Sequence, residues 1–200
     1  MIRFIRRILY RFDRKRGKFQ QVGKNSEIGR PRLLEGASHI SIGSRCVVRE
    51  GAWLGVFPNH PAALVSPPSL TIEDDVYLGF YACLTVIGRM IIKRGTVISD
   101  YFYASDHTHS FDPRRGSCRQ QPLSSKGPVI IGENCFIGYR VTVLPGVELG
   151  EHCVVGAHSL VNKSFPSFSM LAGSPAKQVK FFDFGLGEWV SCREDRKQRR

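Results

Sequence analysis

Residues 129–166 read VIIGENCFIGYRVTVLPGVELGEHCVVGAHSLVNKSFP, and this stretch decides the fold. Aliphatic side chains recur every six positions at Ile131, Ile137, Val143, Leu149, Val155 and Val161, with glycine next at Gly132, Gly138, Gly150 and Gly156. Four positions after each aliphatic residue stand Cys135, Val141, Val147, Cys153, Ser159 and Phe165, mostly small or medium in size. A helix would need a period of 3.6, and an ordinary sandwich would alternate between turn signals. A strict period of six fits short strands joined by tight corners in a coil, an all-β parallel β-helix. On this reading the aliphatic residue points inward, the small residue fits the corner, and glycine tolerates backbone geometry that other residues resist.

The same period extends upstream to Ile42, Val48 and Leu54, to Ile72, Leu78 and Leu84, and to Ile92 and Ile98, so the repeat covers most of residues 40–166. Two stretches interrupt it. Residues 57–69, FPNHPAALVSPPS, hold four prolines and read as a loop leaving the coil. Residues 104–128, ASDHTHSFDPRRGSCRQQPLSSKGP, form a longer break that carries His, Asp and Arg, the better chemistry of the two. After the last repeat, SFPSFSMLAGSPAKQVKFFDFG supplies an apolar stretch to close the open end, whose strand edges need cover. The chain divides into a basic amphipathic segment, 1–24, a repeat domain, 25–180, and a cap with a basic tail, 181–200.

The 200 residues are 42% hydrophobic and 23% charged, with 20 Gly and 11 Pro, which suits one globular domain rich in turns and excludes collagen and wholly disordered chains. Nine Lys or Arg against one acid in residues 1–24, and five against two in residues 193–200, contribute +8 and +3 of the net +12. The body is left near +1, which removes most of the case for nucleic-acid binding. No apolar run reaches the roughly 20 residues of a membrane span, and no signal-peptide pattern opens the chain. The six cysteines form no CxxC pair, and Cys135 and Cys153 fall on small-residue positions of the repeat, where they pack in a reducing compartment.

The segments ISDYFYASDHTHSF, VIIGENCFIGYRVTVLPGVELGEHCVVGAHSLVNKSFP and LAGSPAKQVK together resemble the hexapeptide-repeat acyltransferases, and within them the maltose, galactoside, chloramphenicol and polysaccharide O-acetyltransferases. The resemblance covers roughly residues 35–180. It implies a left-handed parallel β-helix, acetyl-coenzyme A as the acyl donor without a metal, a sugar or glycan hydroxyl as acceptor, and a homotrimer with each active site between neighbouring subunits.

An alcohol attacks a thioester poorly until its proton is being removed, so the reaction needs a base, and His is the usual choice near neutral pH. The resemblance places that base at His107, with His109 in reserve and Asp106 or Asp100 orienting the ring. It also lines the pantetheine arm with Gly138, Tyr139 and Ala157, and sets Asn162, Lys163, Lys177 and Lys180 toward the phosphates. At the last two positions relatives often carry Arg, a more geometrically specific partner than Lys. Taken alone, His107, His109, Lys163, Lys177 and Lys180 each read better as solvated surface groups, and it is their setting beside the repeat and their shared spacing from its last hexapeptide that favour the site. An acyl-enzyme through Cys118, near Arg114, Arg115 and Arg119, competes with direct transfer. So does a zinc site of the γ-carbonic-anhydrase kind, which shares the fold, but only His152 and His158 lie in the regular repeat.

Residues 1–19 set Ile2, Ile5, Leu9 and Phe12 close to one helical face and Arg3, Arg6, Arg7, Arg11 and Arg14 largely on others, predicting a short basic amphipathic helix. Such a face suits an anionic membrane, placing a cytoplasmic enzyme at the inner surface beside a lipid-linked acceptor, or it packs on a neighbouring subunit. N-acetylation of an amino sugar, acetylation of a small xenobiotic, and a non-catalytic β-helix binding scaffold remain as rival functions.

Overall fold

In the computed structural model, residues 19–60 and 67–192 are described. The predicted amphipathic helix falls on residues 1–18, and the basic tail on residues 193–200, both outside the described residues; so do residues 61–66 of the first loop.

Parallel strands build three sheets, and each turn of the coil gives one short strand to each. In the first face Ile40–Ile42, Ser69–Ile72, Arg89–Ile92, Val129–Ile131 and Glu148–Leu149 lie side by side, in the second Val47–Val48 through Val154–Val155, in the third Trp53–Val56 through Leu160–Val161. Register converts the period of six into three inward columns. One runs Ile42, Ile72, Ile92, Ile131, Leu149. The next runs Val48, Leu78, Ile98, Ile137, Val155. The third runs Leu54, Leu84, Ala104, Val143, Val161. All of these side chains are buried, as are Cys135, Val141, Val147, Cys153 and Ser159 at the small-residue positions. At roughly 1.5–3 kcal/mol per buried aliphatic side chain, these columns are the main source of stability. The coil also starts earlier than residue 40, with Gln21–Val22, Glu27–Ile28 and Leu33–Glu35 forming a first turn.

The repeat glycines have a different cause from the one the sequence suggests. None of Gly132, Gly138, Gly150 and Gly156 has a left-handed φ. The left-handed corners are held instead by Asn134, Arg140, His152 and His158, at φ 52 to 59°. Glycine is required because the next turn of the coil comes too close: a Cβ on Gly132 would collide with the Gly150 carbonyl, and one on Gly138 would lie 2.7 Å from the Ala157 nitrogen. At Gly156 a Cβ meets only ordinary contacts, the nearest at 3.4 Å. Gly132→Ala is therefore expected to cost about 1–3 kcal/mol of stability, against about 0.5 kcal/mol or less for Gly156→Ala. Urea unfolding of the two variants distinguishes close approach from backbone freedom, since equal losses contradict the packing cause.

Both interruptions leave the coil without breaking a ladder, because Ile40–Ile42 pairs directly with Ser69–Ile72 and Arg89–Ile92 with Val129–Ile131. The third-face strand Tyr103–Ser105 continues into the sequence read as the second loop, so the excursion proper begins at Asp106. Its base is a two-stranded antiparallel hairpin, His107–His109 against Leu123–Ser125. At the far end, Ser169–Ala172 joins the second face in parallel, and Lys177–Asp183 and Glu188–Ser191 extend that sheet antiparallel as the cap. Among the described residues no helix is long and apolar enough to cross a membrane.

Candidate active site

His107 opens the excursion where the third-face strand ends, and its neighbours are buried: Ser105 and Asp106 have almost no accessible surface. The His107 side chain is 11% exposed and that of Asp106 1%, and Nδ1 lies 2.9 Å from Asp106 Oδ1. Ser105 Oγ stands 3.2 Å from the same nitrogen and donates to the His107 carbonyl at 2.8 Å. A carboxylate acceptor calls for a proton on Nδ1, which leaves the lone pair on Nε2.

The Asp106 carboxylate is itself fixed. Oδ1 accepts from the Ile87 amide at 2.9 Å and Oδ2 from the Gly88 amide at 2.7 Å, both in the turn between two coils. Ser125 Oγ donates to the Asp106 carbonyl at 2.5 Å, and the Phe57 ring meets the imidazole edge-on at 6.3 Å. A ring held through one nitrogen, with the other left for a proton, is an arrangement suited to general base work.

Of the two carboxylates weighed for orienting the ring, Asp106 does so. Asp100 accepts from the Phe80 amide at 2.8 Å, at a different corner of the coil. His109 is exposed and faces Leu123 across the hairpin. Cys118 is exposed, and Arg114 and Arg115 turn toward Asp112, at 2.8 and 3.6 Å, rather than toward the thiol. Burial pushes the Cys46 thiol above its ordinary pKa, in keeping with a packing role. Among the described residues no three His, Cys, Asp or Glu side chains group to hold a metal.

The residues expected at the donor divide between places. Gly138, Tyr139 and Ala157 share the corner between the second and third faces, where the Gly138 amide donates to Val155 and the His158 amide to Tyr139, each at 2.8 Å. Lys177 comes to this corner too: it pairs with Ala172, whose Cβ lies 3.6 Å from a Cβ built on Gly156. Lys180 stands opposite Met170, farther along the second face. Asn162 and Lys163 follow Val161 at the other end of the third face, where Lys163 Nζ sits 5.4 Å from the Phe165 ring centroid. All four are exposed. Sequence reasoning missed Ser105, Phe57 and the Ile87 and Gly88 amides; only Ser105 had a signal, its place two residues before His107.

The repeat and the three-faced coil define a hexapeptide-repeat protein, with a His–carboxylate pair set beside the coil. Residues 128–162 match the family model described as the hexapeptide repeat of succinyl-transferase. An alignment of 129 positions, gaps included, is 33% identical to an Escherichia coli K12 protein named for O-acetyl transfer in lipopolysaccharide biosynthesis, WbbJ. Another, of 112 residues, is 34% identical to a Mycobacterium tuberculosis protein named as an acetyltransferase. The matches take in 58% and 56% of this chain, and 63% and 37% of those relatives' lengths. The Bacillus cereus N-acyltransferase AntD, in complex with dTDP and 3-hydroxybutyryl-CoA, superposes with TM-score 0.70 at 20% identity, over 96% of this chain and 97% of its own. A galactoside acetyltransferase in complex with coenzyme A gives 0.54 at 22% identity, over 82% and 66%. The chain thus carries the hexapeptide repeat of the acyltransferases and resembles their sugar O-acetyltransferase members.

Proposed function

We propose that this protein transfers an acetyl group from acetyl-coenzyme A to a sugar hydroxyl, with His107 as general base and Asp106 holding its ring. The observation that carries the proposal is the 2.9 Å His107–Asp106 contact, which occupies Nδ1 and leaves Nε2 as the proton acceptor. The sugar loses its proton to Nε2 as its oxygen attacks the thioester carbonyl. The tetrahedral intermediate then collapses, and the imidazolium returns the proton to the departing thiolate. The Asp106 carboxylate stabilises the imidazolium, as a carboxylate does in a triad.

The coil is left-handed and the enzyme a homotrimer in this proposal. On a single coil Tyr101 precedes the third-face strand and His107 follows it, six residues of mostly extended chain and on the order of 20 Å apart. A donor lying along Gly138, Tyr139 and Ala157 on one copy therefore meets His107 of a neighbour. Asn162, Lys163, Lys177 and Lys180 serve the phosphates. Kinship in sequence with a protein named for lipopolysaccharide O-acetyl transfer favours a glycan acceptor in surface polysaccharide or lipid-linked assembly. The basic segment 1–19 then brings a cytoplasmic enzyme to the inner membrane. N-acylation of an amino sugar is the second reading, favoured by the overall likeness to AntD.

Calorimetric titration of acetyl-coenzyme A into the full chain tests the donor assignment without knowledge of the acceptor. Saturable binding near one site per chain is expected. A Lys163→Ala, Lys177→Ala, Lys180→Ala variant should bind about tenfold or more weakly, since exposed charge pairs contribute up to about 1 kcal/mol each. No binding at millimolar ligand removes the donor and leaves the scaffold reading.

A further inference from the structure

We infer that Tyr81 and Tyr101, stacked along the corner between the second and third faces, form the wall that binds the acceptor sugar; this rests on the acyl-transfer reading. Two corners of the coil need a left-handed residue in successive turns, and their occupants differ. Along the corner between the first and second faces they are Asn25, Arg45, Asp75, Gly95, Asn134 and His152, polar or glycine until the capped end, where Phe168 takes the position and stacks on His152 beneath the cap. Short polar residues and glycine carry this conformation at least cost. Along the other corner, Tyr81 and Tyr101 hold φ 56 and 58° in consecutive turns, where bulky side chains are uncommon. Strain kept at neighbouring positions, with the side chains outside the core, points to a role other than folding.

The side chains form one continuous array. Tyr81 and Tyr101 stack at 5.2 Å, Tyr101 meets Tyr139 edge-on at 5.6 Å, and Tyr139 meets His158 at 5.4 Å. The Arg140 guanidinium lies 5.2 Å from the centroids of both Tyr101 and Tyr139. Gly51, one turn earlier, makes room for the array, because a Cβ there would run into the Tyr81 ring. The three tyrosines remain 52%, 44% and 37% exposed. Tyr81 and Tyr101 turn one face each to the other, and the exposed ring surface and hydroxyls form an amphipathic strip matched to the C–H and O–H groups of a pyranose.

The array continues the corner that holds Gly138, Tyr139 and Ala157, toward the coil that also carries His107. A donor along the upper part of the corner has its thioester end followed by Tyr101 and Tyr81. An acceptor on those two rings lies level with His107 of the neighbouring copy.

The test titrates p-nitrophenyl β-galactoside and p-nitrophenyl α-glucoside, as acceptor probes, into the full chain saturated with coenzyme A. A Tyr81→Ala, Tyr101→Ala variant should bind the better probe at least about tenfold more weakly. Tyr101→Phe, which keeps the ring, should lose less. Coenzyme A affinity should stay within about twofold, and the mass of the assembly in light scattering should not change. Equal probe affinity in the double variant and the wild type overturns the inference. So does a wild type that binds coenzyme A but neither probe. Dissociation of the double variant into smaller species overturns it in favour of a subunit contact. Failure of the wild type to bind coenzyme A is a different result, because it removes the acyl-transfer reading beneath.

Discussion

His107→Ala is expected to lower kcat for acetyl transfer by roughly 10²- to 10⁴-fold, the usual worth of a positioned base. The KM for acetyl-coenzyme A should stay within about twofold. Among the described residues, neither neighbouring candidate replaces Nε2. His109 is exposed two residues on, and Ser105 Oγ is already donating to the His107 carbonyl. The fold should tolerate the change, because Asp106 keeps the Ile87 and Gly88 amides and its carbonyl keeps Ser125. Free-thiol release with a responsive sugar, alongside thermal unfolding, separates loss of chemistry from loss of structure. A variant with more than a tenth of wild-type kcat would displace His107 as the base, and His109→Ala would then be the decisive variant.

The sequence carried the coil because burial enforces it. A side chain that must enter the core once per face repeats every six residues, and Ile131, Ile137 and Val143 cannot vary freely. The first turn carried the same signal at Val22, Ile28 and Leu34, but a three-residue 3-10 turn, Ala37–His39, shifts the register before Ile42 and hides the continuity. The glycine pattern was visible while its cause was not, since the clash at Gly132 is with a residue 18 positions later. The DHTH motif singled out His107, yet which of Asp106 and Asp100 lies against its ring was not legible. What decides it is the turn at Ile87 and Gly88, far back in the chain, which clamps Asp106 against His107. The tyrosine array was equally hidden, because Tyr81, Tyr101 and Tyr139 become neighbours only once the coil is wound and the excursion is removed from the count.

In the proposed mechanism Asp106 serves stability and catalysis together, and its variants should show both. Asp106→Ala removes the acceptor from two buried amides, at about 1–3 kcal/mol for each orphaned N–H. A loss of about 2–6 kcal/mol in urea unfolding is therefore expected. The freed imidazole should also lose its fixed tautomer, and kcat should fall on the order of 10²- to 10⁴-fold. Asp106→Asn separates the two effects. With its amide nitrogen in place of Oδ2, the remaining oxygen still accepts from Ile87 and from His107, and only the Gly88 amide is opposed by another donor. Asparagine should thus recover part of the stability that alanine loses. It cannot recover the charge that stabilises the imidazolium in the transition state, so kcat should stay at least about tenfold below wild type. Full activity in a stable Asp106→Asn protein would mean that the carboxylate only ties the excursion to the coil. The catalytic role would then rest on the position of His107 alone.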